Sequence, residues 1–228
     1  MKKTQKPKNW HQIKANDSWA LFKIMSEFVE GYETLARIGP CISVFGSART
    51  QEGHPHYDLA VEVAERIVEA GYGVITGGGP GLMEAANRGA KKAGGISVGL
   101  NIDLPFEQLP NPYIDNDKLI NFQYFFVRKV IFVKYAQGFV VMPGGLGTLD
   151  ELFEAITLIQ TDKITRFPIV LVGKAYWSGL IEWIKDTLLT EGYISKEDLF
   201  LFELVDTPEE ALEKINQFYT TENFRPNF

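Results

Sequence analysis

Residues 138–151 read Gly-Phe-Val-Val-Met-Pro-Gly-Gly-Leu-Gly-Thr-Leu-Asp-Glu. The stretch begins as a short apolar run, turns through a group of glycines at 143–147, and continues as a helix predicted over 148–160. Strands that lead directly into helices are typical of parallel sheets, because parallel neighbours need a crossover connection rather than a hairpin. The stretch therefore predicts one strand–turn–helix unit of an α/β fold.

The same alternation of apolar runs and helical periods covers most of the chain. Strands are predicted at 41–45, 72–76, 96–100, 138–142, 168–172 and 200–205, and helices at 57–70, 82–93, 125–136, 148–160, 177–190 and 207–219. Short strands that are apolar throughout are buried on both faces of a sheet. The pattern predicts one doubly wound parallel sheet, with the segment 101–118, which contains three prolines, as a long loop over its edge.

An added helix is predicted before this alternation begins. Over 17–38, apolar residues recur at three- and four-residue steps, starting with Trp19, Phe22 and Met25. Their stripe covers either a face of the domain or a second subunit. The predicted organisation is a disordered polar leader over 1–16, one α/β domain over 17–219, and a loose tail over 220–228.

Composition excludes several classes of protein. Among 228 residues, 23 Lys and Arg stand against 29 Asp and Glu, and the resulting net charge of -6 argues against nucleic acid as a partner. The longest apolar stretch, 122–136, is interrupted by charged residues, so no membrane association is predicted. One cysteine indicates a reducing, cytoplasmic compartment, and with three histidines it excludes zinc-finger arrays. We expect no metal and no cofactor.

The carboxyl ends of three predicted strands carry glycine, at 46–47, 77–81 and 144–147. Glycine lets backbone N–H groups approach an anion, and the following helix directs its positive end towards it. Neither longer turn has the G-x-G-x-x-G pattern of dinucleotide-binding folds, because Leu82 and Asp150 occupy the third glycine positions. A smaller phosphate ester is the predicted ligand, and Thr148 is expected both to cap its helix and to contact the phosphate.

Charged residues interrupt two otherwise apolar helices. A guanidinium at Arg128 either forms a structural ion pair or binds an anionic substrate, whereas Lys129 points about 100° away, towards solvent. Glu151 and Glu154 share a helix face with apolar Leu158, so at least one carboxylate turns inwards, although helix N-termini favour acidic residues in any case. A carboxylate and an arginine beside a sugar phosphate suit cleavage of a glycosidic bond.

These residues together resemble a known family. Residues 143–151 match the P-G-G-x-G-T-x-x-E signature of the LOG (LONELY GUY) family, whose members were long mislabelled lysine decarboxylases. The resemblance spans roughly 41–190 and includes the segments 44–47, 77–79, 81–83 and 128–129, with Thr157 and Gln160. It implies a Rossmann-like fold and a phosphoribohydrolase that cuts the N-glycosidic bond of cytokinin riboside 5′-monophosphate or AMP. The products are free base and ribose 5-phosphate.

The resemblance also implies roles for particular residues. Arg128 and Glu151 are expected to be the catalytic pair, and the 5′-phosphate is expected to be held by Gly144, Gly145, Gly147 and Thr148. The further expected substrate contacts are Ser47, Gly78, Gly79, Glu84, Lys129 and Asp150. From the residues alone, Ser47 either contacts phosphate or shapes its turn, and Glu84 either contacts substrate or begins a helix.

Two features resemble the longer subgroup of the family: the added N-terminal helix and the proline-rich segment. Compact members have Met-His-x before the Arg-Lys pair, whereas Phe125-Phe126-Val127 stands here, and this segment is expected to line the base or prenyl pocket. The family's active site lies at a dimer interface, so a homodimer or larger homo-oligomer is expected. The alternative is a protein that binds a nucleotide or sugar phosphate without turnover, as the fold-related molybdenum-cofactor carriers do.

Overall fold

The computed structural model describes residues 10–104, 109–221 and 227. Within these residues one sheet is formed by β1 (Cys41–Phe45), β2 (Gly73–Thr76), β3 (Ser97–Ile102), β4 (Leu119–Phe122), β5 (Ala136–Val141), β6 (Ile169–Val172) and β7 (Glu203–Val205). All neighbouring strands are parallel, in the order β4-β3-β2-β1-β5-β6-β7. The order reverses between β1 and β5, and ligands of such sheets bind at the carboxyl ends of the strands at this reversal.

Helices cover both faces of the sheet. They are α1 (Trp10–Leu35), α2 (Pro55–Glu69), α3 (Leu82–Lys92), α4 (Phe125–Tyr135), α5 (Leu146–Gln160), α6 (Lys174–Trp183) and α7 (Pro208–Thr221). Helices α1, α4, α5 and α6 contribute to one apolar core, with Leu35, Ile131, Leu152 and Trp177. Helices α2, α3 and α7 contribute to the other, with Ile67, Ala86 and Ile215. The predicted doubly wound, Rossmann-like α/β fold is confirmed.

The added N-terminal helix fixes the start of α4. It begins at Trp10, so the expected boundary at residue 17 is wrong by about two turns, while residues 1–9 lie outside the described part of the chain. The two helices approach closely at Gly31, where a Cβ atom would lie 2.8 Å from Ile131 Cδ1. Buried Glu27 accepts hydrogen bonds from the backbone N–H groups of Gln123 (2.9 Å) and Tyr124 (3.3 Å), directly before α4. This contact satisfies donors that a helix start leaves free.

Other boundaries differ from the predicted ones at the sheet edge and near the C-terminus. Strand β4 was not predicted at all, and β3 continues to Ile102, inside the segment predicted as a loop. The last strand begins at Glu203 rather than at residue 200, because a 3-10 turn (Glu197–Phe200) precedes it, and α6 is followed by a π-helical segment, Ile184–Leu189. None of the helices in the described residues is long and apolar enough to cross a membrane.

The C-terminal tail is anchored at one described residue. Asn227 is buried, and its side-chain amide donates hydrogen bonds to the carbonyl oxygens of Ala136, at 2.7 Å, and Val133. These carbonyls lie at the junction of α4 and β5, where the helix ends and needs donors. The prediction of a loose tail over 220–228 is therefore wrong at Asn227, and residues 222–226 and 228 lie outside the described residues.

Candidate active site

The three glycine turns meet at the carboxyl ends of β1, β2 and β5. The backbone N–H of Ser47 donates to the carbonyl of Pro143 at 3.1 Å, and the N–H of Leu82 donates to the carbonyl of Ser47 at 2.9 Å. Gly81 allows this approach, because a Cβ atom there would overlap the backbone of Ser47 and Ala48 and its φ is +72°. The turns therefore form one connected rim at the point where the strand order reverses.

A cavity of about 570 Å³ opens beside this rim. Its polar wall comes from the turns after β1 and β5, from α5 and from Arg128 of α4, and its apolar wall comes from the other lining residues of α4, from the start of α3 and from the end of β3. The lining residues are Phe45, Gly46, Ser47, Ala48, Arg49, Gly77, Met83, Ile102, Leu104, Phe125, Arg128, Phe132, Gly145, Leu146, Gly147, Thr148 and Glu151. Six of the predicted site residues are thus brought together: Ser47, Arg128, Gly145, Gly147, Thr148 and Glu151.

Arg128 and Glu151 contact each other in the wall of this cavity. Nη2 of Arg128 lies 3.5 Å from Oε1 of Glu151, and both side chains are nearly buried, with 12% and 7% of their surface exposed. The guanidinium carbon also lies 5.2 Å and 5.6 Å from the ring centres of Phe125 and Phe132. Within the described residues, Nε of Arg128 has no hydrogen-bond partner. A buried donor without a partner is uncommon in folded proteins and costs stability, which marks this arginine as more than a structural ion-pair partner.

Burial shifts the pKa values of this pair in opposite directions. It raises the pKa of Glu151 to about 7, although the charge of Arg128 lowers it. Burial also lowers the pKa of Arg128, against the opposing effect of Glu151. A single contact at 3.5 Å does not compensate for the loss of hydration of both groups. Near neutral pH, Glu151 therefore exists in protonated and ionised forms, which is the condition for transferring a proton.

Lys129 and Asp150 form a different contact. Nζ of Lys129 lies 2.9 Å from Oδ2 of Asp150 and 2.7 Å from Oε2 of Glu154, and its side chain is only 14% exposed. Burial lowers the pKa of Lys129, but hydrogen bonds to Glu154 and Asp150 outweigh it, so the net shift is upwards. None of the three lines the cavity. The expected solvent exposure of Lys129 is wrong, because two carboxylates of α5 hold it.

The turn before α5 has the form expected of an anion site. The helix begins at Leu146, with Gly145 as its N-cap residue, so Thr148 lies inside the first turn rather than at its start. Gly144 packs against this threonine, since a Cβ atom at 144 would overlap the hydroxyl of Thr148, and Gly144 does not line the cavity. Backbone N–H groups at the start of a helix are unpaired within the helix and suit a phosphate.

The turn after β2 contributes Gly77 to the cavity lining, whereas Gly78 and Gly79 are held beneath it. Buried Asn111 donates from its backbone to the carbonyl of Gly78 (2.8 Å) and from its side chain to the carbonyls of Gly78 (3.1 Å) and Gly79 (3.0 Å). Its amide also reaches Oδ1 of Asn87 (2.9 Å), to which the hydroxyl of Thr76 donates (2.6 Å). This network fixes the turn from below.

Glu84 is not brought into the cavity. It is half-buried in the first turn of α3 and accepts a hydrogen bond from the hydroxyl of Tyr57 at 3.2 Å. Two residues of importance were not predicted: Arg49, which lines the cavity, and Asn111, which holds the turn after β2. Arg49 could have been found from its position two residues after Ser47, whereas nothing in the sequence around Asn111 indicates its partners.

Fold and site together define a class: a doubly wound α/β protein whose cavity combines a glycine-rich helix start with a buried arginine–glutamate pair. A family model described as "Possible lysine decarboxylase" matches residues 83–215. The chain belongs to this family, the LOG family that its sequence resembles.

Named relatives and solved structures are similar over most of the chain. A Mycobacterium tuberculosis protein named cytokinin riboside 5'-monophosphate phosphoribohydrolase is 36% identical over 161 residues, 68% of this chain and 82% of the relative. The rice protein named cytokinin riboside 5'-monophosphate phosphoribohydrolase LOG is 27% identical, with 76% of this chain and 71% of the relative covered. The crystal structure of TM1055 superposes with a TM-score of 0.61 at 26% identity, covering 78% of this chain and 99% of that one. The molybdenum-cofactor carrier protein of Chlamydomonas reinhardtii, with a TM-score of 0.56 at 24% identity over 80% and 99% of the two chains, shares the fold.

Proposed function

We propose that the protein hydrolyses the N-glycosidic bond of a nucleoside 5′-monophosphate, such as a cytokinin riboside 5′-monophosphate or AMP. The observation that carries this proposal is the buried Arg128–Glu151 pair, which faces a cavity beside the start of α5. The relatives named as cytokinin riboside 5'-monophosphate phosphoribohydrolases support the same reaction. In this proposal the products are the free base and ribose 5-phosphate.

The substrate is oriented by its phosphate. Gly145, Gly147 and Thr148 line the cavity at the start of α5, where backbone N–H groups and the helix dipole favour an anion. A 5′-phosphate held there directs the ribose towards Glu151, which lies one turn further along the same helix. Arg128, with a free Nε–H and one contact to Glu151, completes the polar side of the site.

The buried carboxylate serves the bond-breaking step. As the bond between C1′ and the base breaks, its electron pair leaves with the base and positive charge develops on the ribose ring. Ionised Glu151 stabilises this charge, as carboxylates do in other glycosidic cleavages. Water adds its oxygen to C1′ and gives a proton to Glu151, the base takes up a proton, and one water is consumed overall. A pKa of about 7 allows the carboxylate to accept and release this proton near neutral pH.

The test is the release of free base from purified protein. AMP and isopentenyladenosine 5′-monophosphate are incubated with wild type, Glu151→Gln and Arg128→Ala, and the free base is measured by chromatography. Glu62→Gln serves as the matched control, because Glu62 is an exposed carboxylate on α2, away from the cavity. We expect both site variants to lose at least about 100-fold in rate and the control to keep its activity.

Three results would contradict this proposal. The first is wild type that releases no base from either nucleotide, and the second is Glu151→Gln with full activity. The third is tight AMP binding by calorimetry without base release, which would instead support binding without turnover.

The apolar wall of the cavity is proposed to hold the base. Met83, Ile102, Leu104, Phe125 and Phe132 contribute to this wall, which suits a purine ring and an apolar substituent. Comparing kcat/KM for isopentenyladenosine monophosphate and AMP measures this preference. Phe125→Ala should reduce kcat/KM for the prenylated substrate more than for AMP, and an equal loss on both would place the substituent elsewhere.

We also infer that the protein forms at least a homodimer. Among the residues of α1 whose side chains the structure describes, five apolar side chains are more than half exposed: Trp19 (71%), Leu21 (56%), Phe22 (62%), Met25 (53%) and Val29 (54%). A continuous apolar face of this kind is a common feature of subunit interfaces. Sedimentation velocity should give at least a dimer at micromolar concentration, and a monomer there would contradict the inference. The cytoplasmic location expected from the single cysteine stays a prediction.

A further inference from the structure

One cation in the cavity has no ion pair within residues 10–104, 109–221 and 227. Arg49 is exposed on the loop after β1 and lines the cavity. Its backbone N–H donates to Oγ of Ser47 at 3.1 Å, which fixes the start of the side chain but leaves the guanidinium unengaged. The other basic groups near the cavity are occupied, Arg128 by Glu151 and Lys129 by Asp150 and Glu154.

The proposed phosphate site needs such a cation. The turn and helix start at 143–149 read Pro-Gly-Gly-Leu-Gly-Thr-Leu and contain no basic side chain. A phosphate monoester carries about 1.5 to 2 negative charges at neutral pH, whereas a helix N-terminus supplies about half a positive charge. Arg128 is partly neutralised by Glu151 at 3.5 Å. Much of the phosphate charge therefore has to be balanced by another group.

The loop that carries Arg49 lies directly beside this turn. The hydrogen bond of 3.1 Å from the N–H of Ser47 to the carbonyl of Pro143 joins the two backbones, and Arg49 follows two residues later. The guanidinium is planar, stays charged at all relevant pH values, and can donate two parallel hydrogen bonds to phosphate oxygens. Arg49 lines the same cavity as Gly145, Gly147 and Thr148 of this helix start.

We propose that Arg49 binds the 5′-phosphate and makes the site select nucleoside monophosphates over nucleosides. The proposal rests on the proposed function and adds a residue that identifies the charged end of the substrate. Arg49 acts on binding, whereas Arg128 and Glu151 act at the glycosidic bond. Removing Arg49 therefore weakens the binding of every phosphorylated ligand and leaves the binding of unphosphorylated ligands unchanged.

The first measurement is binding of a product, so that it does not depend on turnover. Ribose 5-phosphate and ribose are titrated by calorimetry into wild type, Arg49→Ala and Arg37→Ala. Arg37 is a matched control, because it is an exposed arginine outside the cavity lining and the substitution changes the net charge equally. Arg49→Ala should raise the Kd for ribose 5-phosphate by about 10- to 100-fold, the range for a charge-assisted hydrogen bond, and Arg37→Ala should raise it by less than about twofold. Weak ribose binding should be the same in all three proteins.

The second measurement separates binding from chemistry. For AMP, Arg49→Ala should raise KM by a similar factor with kcat within about threefold, and Arg49→Lys should recover part of the loss. Binding of ribose 5-phosphate that is equal in wild type and Arg49→Ala would overturn the proposal, as would a fall in kcat at unchanged KM. Wild type that neither binds ribose 5-phosphate nor releases base would overturn the proposed function itself, and the role of Arg49 with it.

Discussion

The difference in stability between Glu151→Gln and wild type should shift in favour of the variant between pH 5 and pH 8. Burial raises the pKa of Glu151 from 4.5 to about 7, against the lowering effect of Arg128. The folded protein thus holds this proton more tightly than the unfolded chain does. The resulting stability is complete below pH 4.5 and is lost as the pH rises to about 7. Glutamine has the same shape and no charge to bury, so it does not show this loss.

The size of the effect follows from the same values. A rise in pKa from 4.5 to about 7 corresponds to a loss of about 3 kcal/mol of wild-type stability at pH 8 and of about 1 kcal/mol at pH 5, relative to low pH. In a chain of 228 residues, each kcal/mol changes Tm by about 2–4 °C. The Tm of Glu151→Gln minus that of wild type should therefore increase by about 4–8 °C between pH 5 and pH 8.

Thermal unfolding followed by circular dichroism at both pH values measures this difference. The unpaired Arg128 left by the substitution lowers stability by the same amount at each pH, because the guanidinium stays charged. Other titrating groups cancel in the subtraction, and Glu62→Gln should show no such pH dependence. A Tm difference that is identical at pH 5 and pH 8 would refute the reasoning, since Glu151 would then be ionised throughout.

Three further predictions follow from named contacts. Arg128→Met should move the loss of stability to higher pH, because the positive charge that lowers the pKa of Glu151 is removed; melting curves at pH 6–9 measure it, and an unchanged profile would count against the coupling. Asn111→Ala should destabilise the protein by about 1–3 kcal/mol, measured by urea unfolding, because the buried carbonyl of Gly79 loses its side-chain donor and that of Gly78 keeps only the backbone N–H of residue 111; no change would mean that the network is dispensable. Gly81→Ala should destabilise it by at least about 1 kcal/mol, since its φ is +72° and its Cβ meets the backbone of Ser47; a neutral effect would show that the rim can shift.

The strands at the centre of the sheet could be predicted because burial on both faces leaves an uninterrupted apolar run. Strand β4 could not be, since it is four residues long, lies at the sheet edge and exposes Asn121, so neither a continuous run nor a clear alternation marks it. The start of α1 at Trp10 was missed for a related reason. Residues 10–16 carry no apolar period, and only their ability to form a helix indicates one.

The candidate site likewise contains residues that the sequence could predict and residues that it could not. The pattern indicated Arg128, because it places a charge on an apolar helix face, which requires a partner or a ligand. It left open whether Glu151 or Glu154 turns inwards, and only the family resemblance pointed to Glu151. Lys129 and Asp150 are adjacent to them in sequence, yet they pair with each other outside the cavity, because neighbouring helical residues point about 100° apart. The hydrogen bonds of Asn111 join segments more than 20 residues apart, and no local pattern encodes that distance.

The geometry of the arginine–glutamate pair favours one of the two interpretations that the sequence left open, an arginine that binds an anionic substrate. A structural ion pair would be expected to bury two short, parallel hydrogen bonds, because only such contacts compensate for the lost hydration of both groups. Here one contact of 3.5 Å joins Arg128 and Glu151, Nε of Arg128 is unpaired among the described residues, and the pKa of the carboxyl is raised rather than lowered. The pair therefore costs stability as the pH rises towards 7, and it keeps a buried carboxyl with a raised pKa beside a guanidinium nitrogen that has no partner among the described residues. This arrangement predicts that Glu151→Gln abolishes base release and gains stability relative to wild type between pH 5 and pH 8, whereas a structural ion pair predicts no such gain.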